Sequence, residues 1–186
     1  MQRFGVALLL ILPPTVFYLA GWREHFSVEA LRQLIQDHRG AGLLGFVLAF
    51  VLGNLVQIPG WIFLAAAVLV LGKLWGGLAV YVAACTACMV SFLLFRGLGG
   101  PALRAWGNPV ARRLLARLDA HPLSAVILLR LAFQTLPVLN VALALSGVRL
   151  RHYLLGTVLG LPLPIALYSL FFDGLARVLS WIGGGA

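Results

Sequence analysis

The chain has 186 residues, 62% of them hydrophobic and only 10% charged, with a mean hydropathy of +1.01. A soluble domain carries about 25% charged residues, so this composition excludes an ordinary water-soluble protein and leaves an integral membrane protein of one domain, 1–186. The net charge of +9 would suggest nucleic acid for a soluble chain. Here the cations lie between apolar runs, which assigns them to anionic lipid headgroups and argues against a nucleic-acid partner.

Residues 4–22 form an apolar run behind Arg3 and read as a transmembrane helix, kinked at Pro13 and Pro14. Ser27 then stands as an N-cap, with Phe26 and Leu31 placed as a hydrophobic staple. Val28, Leu31, Leu34 and Ile35 share one face before Gly40, the pattern of a short amphipathic helix lying at the membrane surface. These two elements make up an N-terminal part, 1–40.

In the next part, 41–96, "GNLVQIPGW" (53–61) interrupts an apolar run. Crossing ~30 Å of hydrocarbon takes about 20 helical residues, whereas 61–71 reach only about 17 Å. The pattern predicts a re-entrant hairpin turning at Pro59-Gly60, then a spanning helix over 74–96. The linker 97–122 sets Arg104, Arg112, Arg113 and Arg117 against Leu103, Trp106, Val110, Leu114, Leu115 and Leu118, and predicts basic interfacial helices broken at 107–109.

Within 123–173 the outline recurs. "FQTLPVLN" (133–140) breaks an apolar run at Pro137 and Asn140, leaving arms too short to cross, and "VRLRHY" is an exit loop. A span over 154–172 follows, kinked by Pro162 and Pro164, and 174–186 form an interfacial tail. A hairpin leaves on the side it entered and a span changes sides, so the second unit is upside-down relative to the first. The expected fold is an all-α integral membrane protein: an inverted repeat of re-entrant helical hairpin plus transmembrane helix, with interfacial amphipathic helices. Matching interruptions in two halves point to a binding site near the bilayer midplane. In this topology Arg3, Arg104, Arg112, Arg113, Arg117, Arg149 and Arg151 share one face, and Arg23, Arg32, Arg39, Lys73 and Arg177 the other. The larger set assigns the cytoplasmic side.

Several segments together resemble a known family. "IPGWIFLAAAVLVLG" is similar to the Pro-Gly, Ala-rich re-entrant segment of the TVP38/DedA proteins, which carry the VTT, or SNARE-associated Golgi protein, domain. "FLLFR", Phe92 to Arg96, resembles that family's F-x-x-x-R signature. "LLRL" at Arg130 and "NVALALSGVRLRHYLLGTVLG" are similar to its Arg-led second hairpin and the segment after it. Phe133 stands where the family has proline, Val141 where it has tyrosine, and Ala144 where it has glycine. The acidic residue before the first Pro-Gly of the DedA branch is absent, with Asn54 and Gln57 in that neighbourhood, which is nearer the TVP38 branch. The resemblance implies lipid translocation: eukaryotic relatives scramble phospholipids, and bacterial DedA members are linked to moving undecaprenyl phosphate. It also implies the inner (plasma) membrane of a bacterium.

The residues themselves lead to a related expectation. Arg130 lies about 10 Å into a hairpin arm, where burying an Arg costs about 2.5–3.5 kcal/mol and calls for a partner. The carboxylates Glu24, Glu29, Asp37, Asp119 and Asp173 all lie at segment ends. Arg96 and Arg130 are therefore expected to hold a lipid phosphate, which a guanidinium binds bidentately. Asn54, Gln57, Gln134, Thr135 and Asn140 would line a polar furrow opened by Pro59, Gly60 and Pro137 at the hairpin tips. Plainer roles compete: Arg96 snorkelling from a helix end, Arg130 bridging to Asp173, and the amides capping the tips. Cys85 and Cys88 read as small residues at a helix contact, and Gly156-x-x-x-Gly160 as a packing face. With no nucleophile–base pair, metal cluster or phosphate loop, neither an enzyme, a metal site nor a cofactor is expected. Membrane lipids with phosphate headgroups are the expected partners, and a homo-oligomer is left open. The alternatives are a coupled transporter of a small anionic solute and a non-catalytic membrane scaffold.

Overall fold

Prolines and glycines cut the chain into its helices. The computed structural model describes residues 39–56, 58–99 and 109–183. The expected helix over 4–22, the amphipathic helix at Ser27, Gln57, the linker residues 100–108 and the tail residues 184–186 lie outside the described residues. The described residues hold α1 (Arg39–Leu55), α2 (Gly60–Gly99), α3 (Pro109–Ala120), α4 (Pro122–Phe133), α5 (Pro137–Leu145), α6 (Leu150–Gly160) and α7 (Pro162–Gly183), and no strand. Helices α3, α4, α5 and α7 begin on proline, whose missing N–H would be unpaired in a first turn anyway and whose φ is already helical.

Helix α2 is not straight. Gly72 adopts φ 78, ψ 170, a region open to glycine and closed to residues with a Cβ. A Cβ at Gly76 would stand 2.5 Å from the Ala67 carbonyl oxygen, although nine residues of straight helix separate their ends by about 13 Å. The chain therefore doubles back at Gly72, and residues 60–71 lie against the start of 73–99. Of the apolar stretch Gly60–Leu98, the limb from 73 onward is long enough to cross ~30 Å of hydrocarbon.

The other long apolar stretch, Leu150–Val178, bends where α6 meets α7. Leu161 keeps helical angles, its N–H donates to the Thr157 carbonyl, and its own carbonyl accepts from Ile165. Pro162 has no N–H to offer Val158 one turn earlier. The Tyr81 hydroxyl donates to that freed carbonyl at 3.0 Å. Two details differ from the sequence expectation. The expected exit loop is confined to 146–149, because 150–153 are already helical. Asn140 lies inside α5 and does not interrupt it, so the break is limited to 134–136.

Helix α2 is the centre of the packing and touches α1, α5, α6 and α7, while α4 lies on α6. Small residues set the last approach: a Cβ at Gly156 would meet Val126 Cγ1 at 2.6 Å, and one at Gly160 would meet Arg130 Cβ at 2.7 Å. Gly156-x-x-x-Gly160 is thus a packing face. Two apolar clusters result. One gathers Phe46, Phe50 and Phe63 over Ala66, Ala67, Ala83, Ala84 and Ala87; the other joins Phe92, Phe95, Leu118, Val126, Leu143 and Tyr153. Large apolar residues also cover the outside, at Leu44, Leu48 and Leu52 on α1 and at Leu163, Leu167 and Leu170 on α7. On α3, Leu115 and Leu118 face inward while Arg113 and Arg117 are exposed.

Candidate functional site

The breaks at 56–59 and 134–136 meet. A Cβ on Gly60, at the start of α2, would lie 2.5 Å from Thr135 Oγ1. Asn54 Nδ2, on the last turn of α1, donates to the Thr135 carbonyl at 3.4 Å. Asn140, on α5, donates through Nδ2 to Asn54 Oδ1 at 3.0 Å, and Ser91 on α2 donates to the same oxygen at 2.9 Å. Asn54, Thr135 and Asn140 are all buried. Polar side chains packed this far inside persist when their donors and acceptors are matched, and here they match one another across the two breaks.

Beside this meeting point lies Arg130, on the last turn of α4, with no exposed surface. Its Nε donates to Thr157 Oγ1 at 3.2 Å, Nη1 to the Gln134 carbonyl at 2.8 Å, and Nη2 to the Tyr153 hydroxyl at 2.8 Å. Tyr153 and Thr157 are one turn apart on α6, and glycines 156 and 160 bring that helix close enough for the side chain to run along it. The Tyr153 hydroxyl donates onward to the Cys88 carbonyl at 3.0 Å and lies 3.3 Å from Asn140 Oδ1. The Cys88 thiol also donates to Asn140 Oδ1, at 3.6 Å. One chain of hydrogen bonds thus runs from Ser91 through Asn54, Asn140, Cys88 and Tyr153 to Arg130.

Every one of these partners is electrically neutral. Of the described carboxylates, Asp119 is exposed on α3 and Asp173 pairs with Lys73 at 3.5 Å and with Arg177. Neither bonds Arg130, so the bridge from Arg130 to Asp173 does not form. The guanidinium keeps its full charge inside the protein.

The turn beside it is strained. Gln134 has φ 48, ψ −124, and the Leu136 N–H donates to the Phe133 carbonyl at 3.0 Å. These are the angles and the bond of the first central residue of a type II′ turn, a position that favours glycine. A glutamine stands there instead, and its Nε2 is buried without a hydrogen-bond partner. The conformation turns the Gln134 carbonyl back onto Arg130.

Arg96 is placed differently. It is half-buried and its Nη1 donates to the Ala144 carbonyl, 2.9 Å away at the end of α5, a C-terminal carbonyl that a cation suits. Its guanidinium lies 5.7 Å from the Phe92 ring centre; Phe92 stacks on Tyr153 at 4.2 Å, and Arg130 lies 5.2 Å from the Tyr153 ring centre. The two arginines are linked through this pair of rings. Pro59 is exposed beside Gly60, and Pro137 opens α5.

Residues 58–174 match the family model of the VTT domain. The chain belongs to the VTT-domain family. No curated protein and no solved structure matches it. The match covers well over half of the chain and includes Arg96, Arg130 and both partners of Arg130 on α6. VTT-domain proteins are membrane proteins, and the leucines on the outside of α1, α2 and α7 are this member's lipid-facing surface.

Sequence reasoning reached Arg130, Asn54 and Asn140 but missed Tyr153, Thr157 and Ser91. The signal was available in "HYLLGTVLG". Tyr153 and Thr157 at i and i+4 share one face of an apolar helix with the small residues that press it against a neighbour.

Proposed function

We propose that this VTT-domain protein moves phosphate-bearing lipids between the two leaflets of its membrane, with Arg130 as the group that meets the phosphate. The observation that carries this reading is a wholly buried guanidinium bonded to neutral groups alone. A charge held inside a membrane protein is costly and marks a functional path by default. A phosphate monoanion or diester would neutralise it and match its fork geometry.

In this reading the structure is the occluded state, with the Gln134 carbonyl occupying the place that a phosphate oxygen takes when the path opens. Because Gln134 is held at a positive φ, exchange of its carbonyl for a phosphate oxygen lets that peptide relax, and the unpaired Gln134 amide supplies a second donor to the headgroup. Asn54, Asn140 and Thr135 then continue the polar lining between the two breaks, while Arg96 fixes the end of α5. The two broken helix pairs are read as re-entrant hairpins entering from opposite faces, an inverted repeat of the TVP38 kind. The lipid tails stay outside along the leucine surface, and the membrane is the bacterial plasma membrane.

The test is reconstitution of the full chain in vesicles with leaflet-labelled phospholipids, comparing the unaltered protein with Arg130→Ala and Arg130→Lys. Transfer above that of protein-free vesicles, lost with Ala and partly kept with Lys, is the expected result. Equal transfer in all three and in protein-free vesicles eliminates the reading. Transfer of entrapped inorganic phosphate, with labelled lipid staying in its leaflet, assigns the site to a small anion instead.

A further inference from the structure

Four further arginines take no part in the hydrogen-bonded chain around Arg130, and the fold gathers them at one end of the molecule. Leu115 and Leu118 of α3 share a buried cluster with Phe95, near the end of α2, and with Val148, in the turn before α6. The bond from Arg96 to the Ala144 carbonyl ties that end of α2 to the last turn of α5. With its leucines turned inward, α3 presents Arg113 and Arg117 on its outer side, both exposed. Arg149 and Arg151 are exposed at the start of α6. Asp119 is the one carboxylate at this end among the described residues. It can neutralise no more than one of the four guanidinia, so at least three positive charges stand in excess there. At the far end of the same α2 limb, about 35 Å away, Lys73 and Arg177 both meet Asp173.

Beyond the arginines the surface turns apolar along one helix. Arg151, Leu155, Val158 and Leu159 follow one another at i, i+4, i+7 and i+8, the spacing of a single helix face. All four are exposed, Leu155 by 52% and Leu159 by 59%. The face runs about 12 Å from the cation to Leu159, most of the ~15 Å depth of one hydrocarbon leaflet. Leu150, between Arg149 and Arg151, is exposed as well, so apolar surface begins at the level of the cations themselves. A cation above an apolar stripe complements a molecule with an anionic head and a hydrocarbon tail. A soluble acidic protein would leave the stripe uncovered.

We propose that this end of the molecule is a docking surface for anionic phospholipids of the adjoining leaflet. The lipid phosphate takes the fork of Arg151, while Arg113, Arg117 and Arg149 supply the positive field that draws it in. One acyl chain lies along Leu155 and Leu159. The consequence is local enrichment of anionic over zwitterionic lipid at one end of the protein. The surface makes no use of Arg130 and is independent of the part assigned to it.

Electron spin resonance of the full chain in phosphatidylcholine vesicles tests the inference. A trace of chain-labelled phosphatidylglycerol, or of chain-labelled phosphatidylcholine, reports the share of each lipid held at the protein surface. At low ionic strength phosphatidylglycerol should be favoured about fivefold, the weight of one cation close to an anionic headgroup. At about 0.5 M salt the preference should fall below about twofold, because exposed charges are then screened within a few ångströms. Joint replacement by Arg113→Gln, Arg117→Gln, Arg149→Gln and Arg151→Gln should have the same effect at low salt. All four side chains are exposed, so the melting temperature should hold and show that the fold is kept. Lys73→Gln, at the far end, should leave the preference unchanged. Arg130→Ala should also retain it even where lipid transfer is lost, so the two readings fail separately. Equal retention of the two lipids by the unaltered chain overturns the inference. So does a preference that survives the quadruple replacement or high salt, or one that disappears with Lys73→Gln.

Discussion

Where α1 gives way to α2, the chain buries Phe46, Phe50 and Phe63, with ring centres 4.7 to 6.3 Å apart. Where α4 gives way to α5, it buries Arg130 with Tyr153 and Thr157 against it. Both regions share an outline of apolar helix, short break and apolar helix. The first break is closed by its own backbone, with the Val56 N–H donating to Leu52 and the Ile58 N–H donating to Gly53 at 2.7 Å. The second is held by a strained glutamine and a charged side chain. The difference teaches that a repeated hydropathy outline fixes helix ends and leaves interiors free to diverge. One half serves as an apolar strut and the other as the place where charge is kept. Asn54 is where the strut reaches into the charged half.

The comparison breaks most visibly if one residue from each interior is removed. Phe50→Ala should cost about 3–5 kcal/mol of stability, the usual range for a buried ring, with lipid transfer per folded molecule unchanged. Arg130→Met keeps the volume and removes the charge. Its stability should stay within about 2 kcal/mol of the parent, because replacing a buried ion by an apolar side chain of similar size is often near neutral. Its transfer should fall to that of protein-free vesicles. Denaturant unfolding beside leaflet-label transfer reads both quantities. If Arg130→Met transfers lipid normally, the charged half is only a second strut.

The glycines sharpen the same contrast at smaller cost. A Cβ at Gly53 would lie 2.4 Å from the tip of the Phe63 ring, whereas one at Gly160 would meet Arg130 Cβ at 2.7 Å and the Ile127 carbonyl at 3.1 Å. Overpacking of either kind costs about 1–3 kcal/mol. Gly53→Ala should lower the melting temperature alone. Gly160→Ala pushes α6 from α4 and so moves Tyr153 and Thr157 relative to the guanidinium; it should lower both the melting temperature and the transfer rate. Loss of transfer in Gly53→Ala to the same degree would mean that the two interiors work as one.

How much of this was legible in the sequence follows from the kind of signal involved. Pro59-Gly60 and Pro137 mark the helix breaks because proline and glycine act locally, through φ and a missing N–H, and local effects are written where they act. Arg130 was legible because a cation deep in an apolar run has few bland explanations. Gly72 carries no such mark, since nothing local distinguishes a packing glycine from one that must adopt φ 78. Tyr153 and Thr157 were missed because their role depends on which helix α6 lies against, and contacts across 23 and 27 residues of sequence leave no local trace. The strain at Gln134 was hidden for a related reason: "FQTLP" contains no glycine, the residue that would have announced a type II′ turn.

That absence supplies the finest of the tests. In this structure Gln134 holds an unfavourable backbone conformation and an unpaired buried amide, and a glycine in its place would relieve both. Strain of this kind is worth about 1–3 kcal/mol, so Gln134→Gly should raise the melting temperature. If opening of the path releases the same strain, the substitution stabilises the occluded state alone. The opening barrier then grows, and transfer slows about tenfold for each 1.4 kcal/mol gained. A Phe63→Leu change in the other half offers the control, since it alters packing without touching the strained turn, and should shift stability without slowing transfer. Should Gln134→Gly become more stable while transferring lipid at the parental rate, the strained turn is a passive corner. The asymmetry between the two halves would then reside in the guanidinium alone.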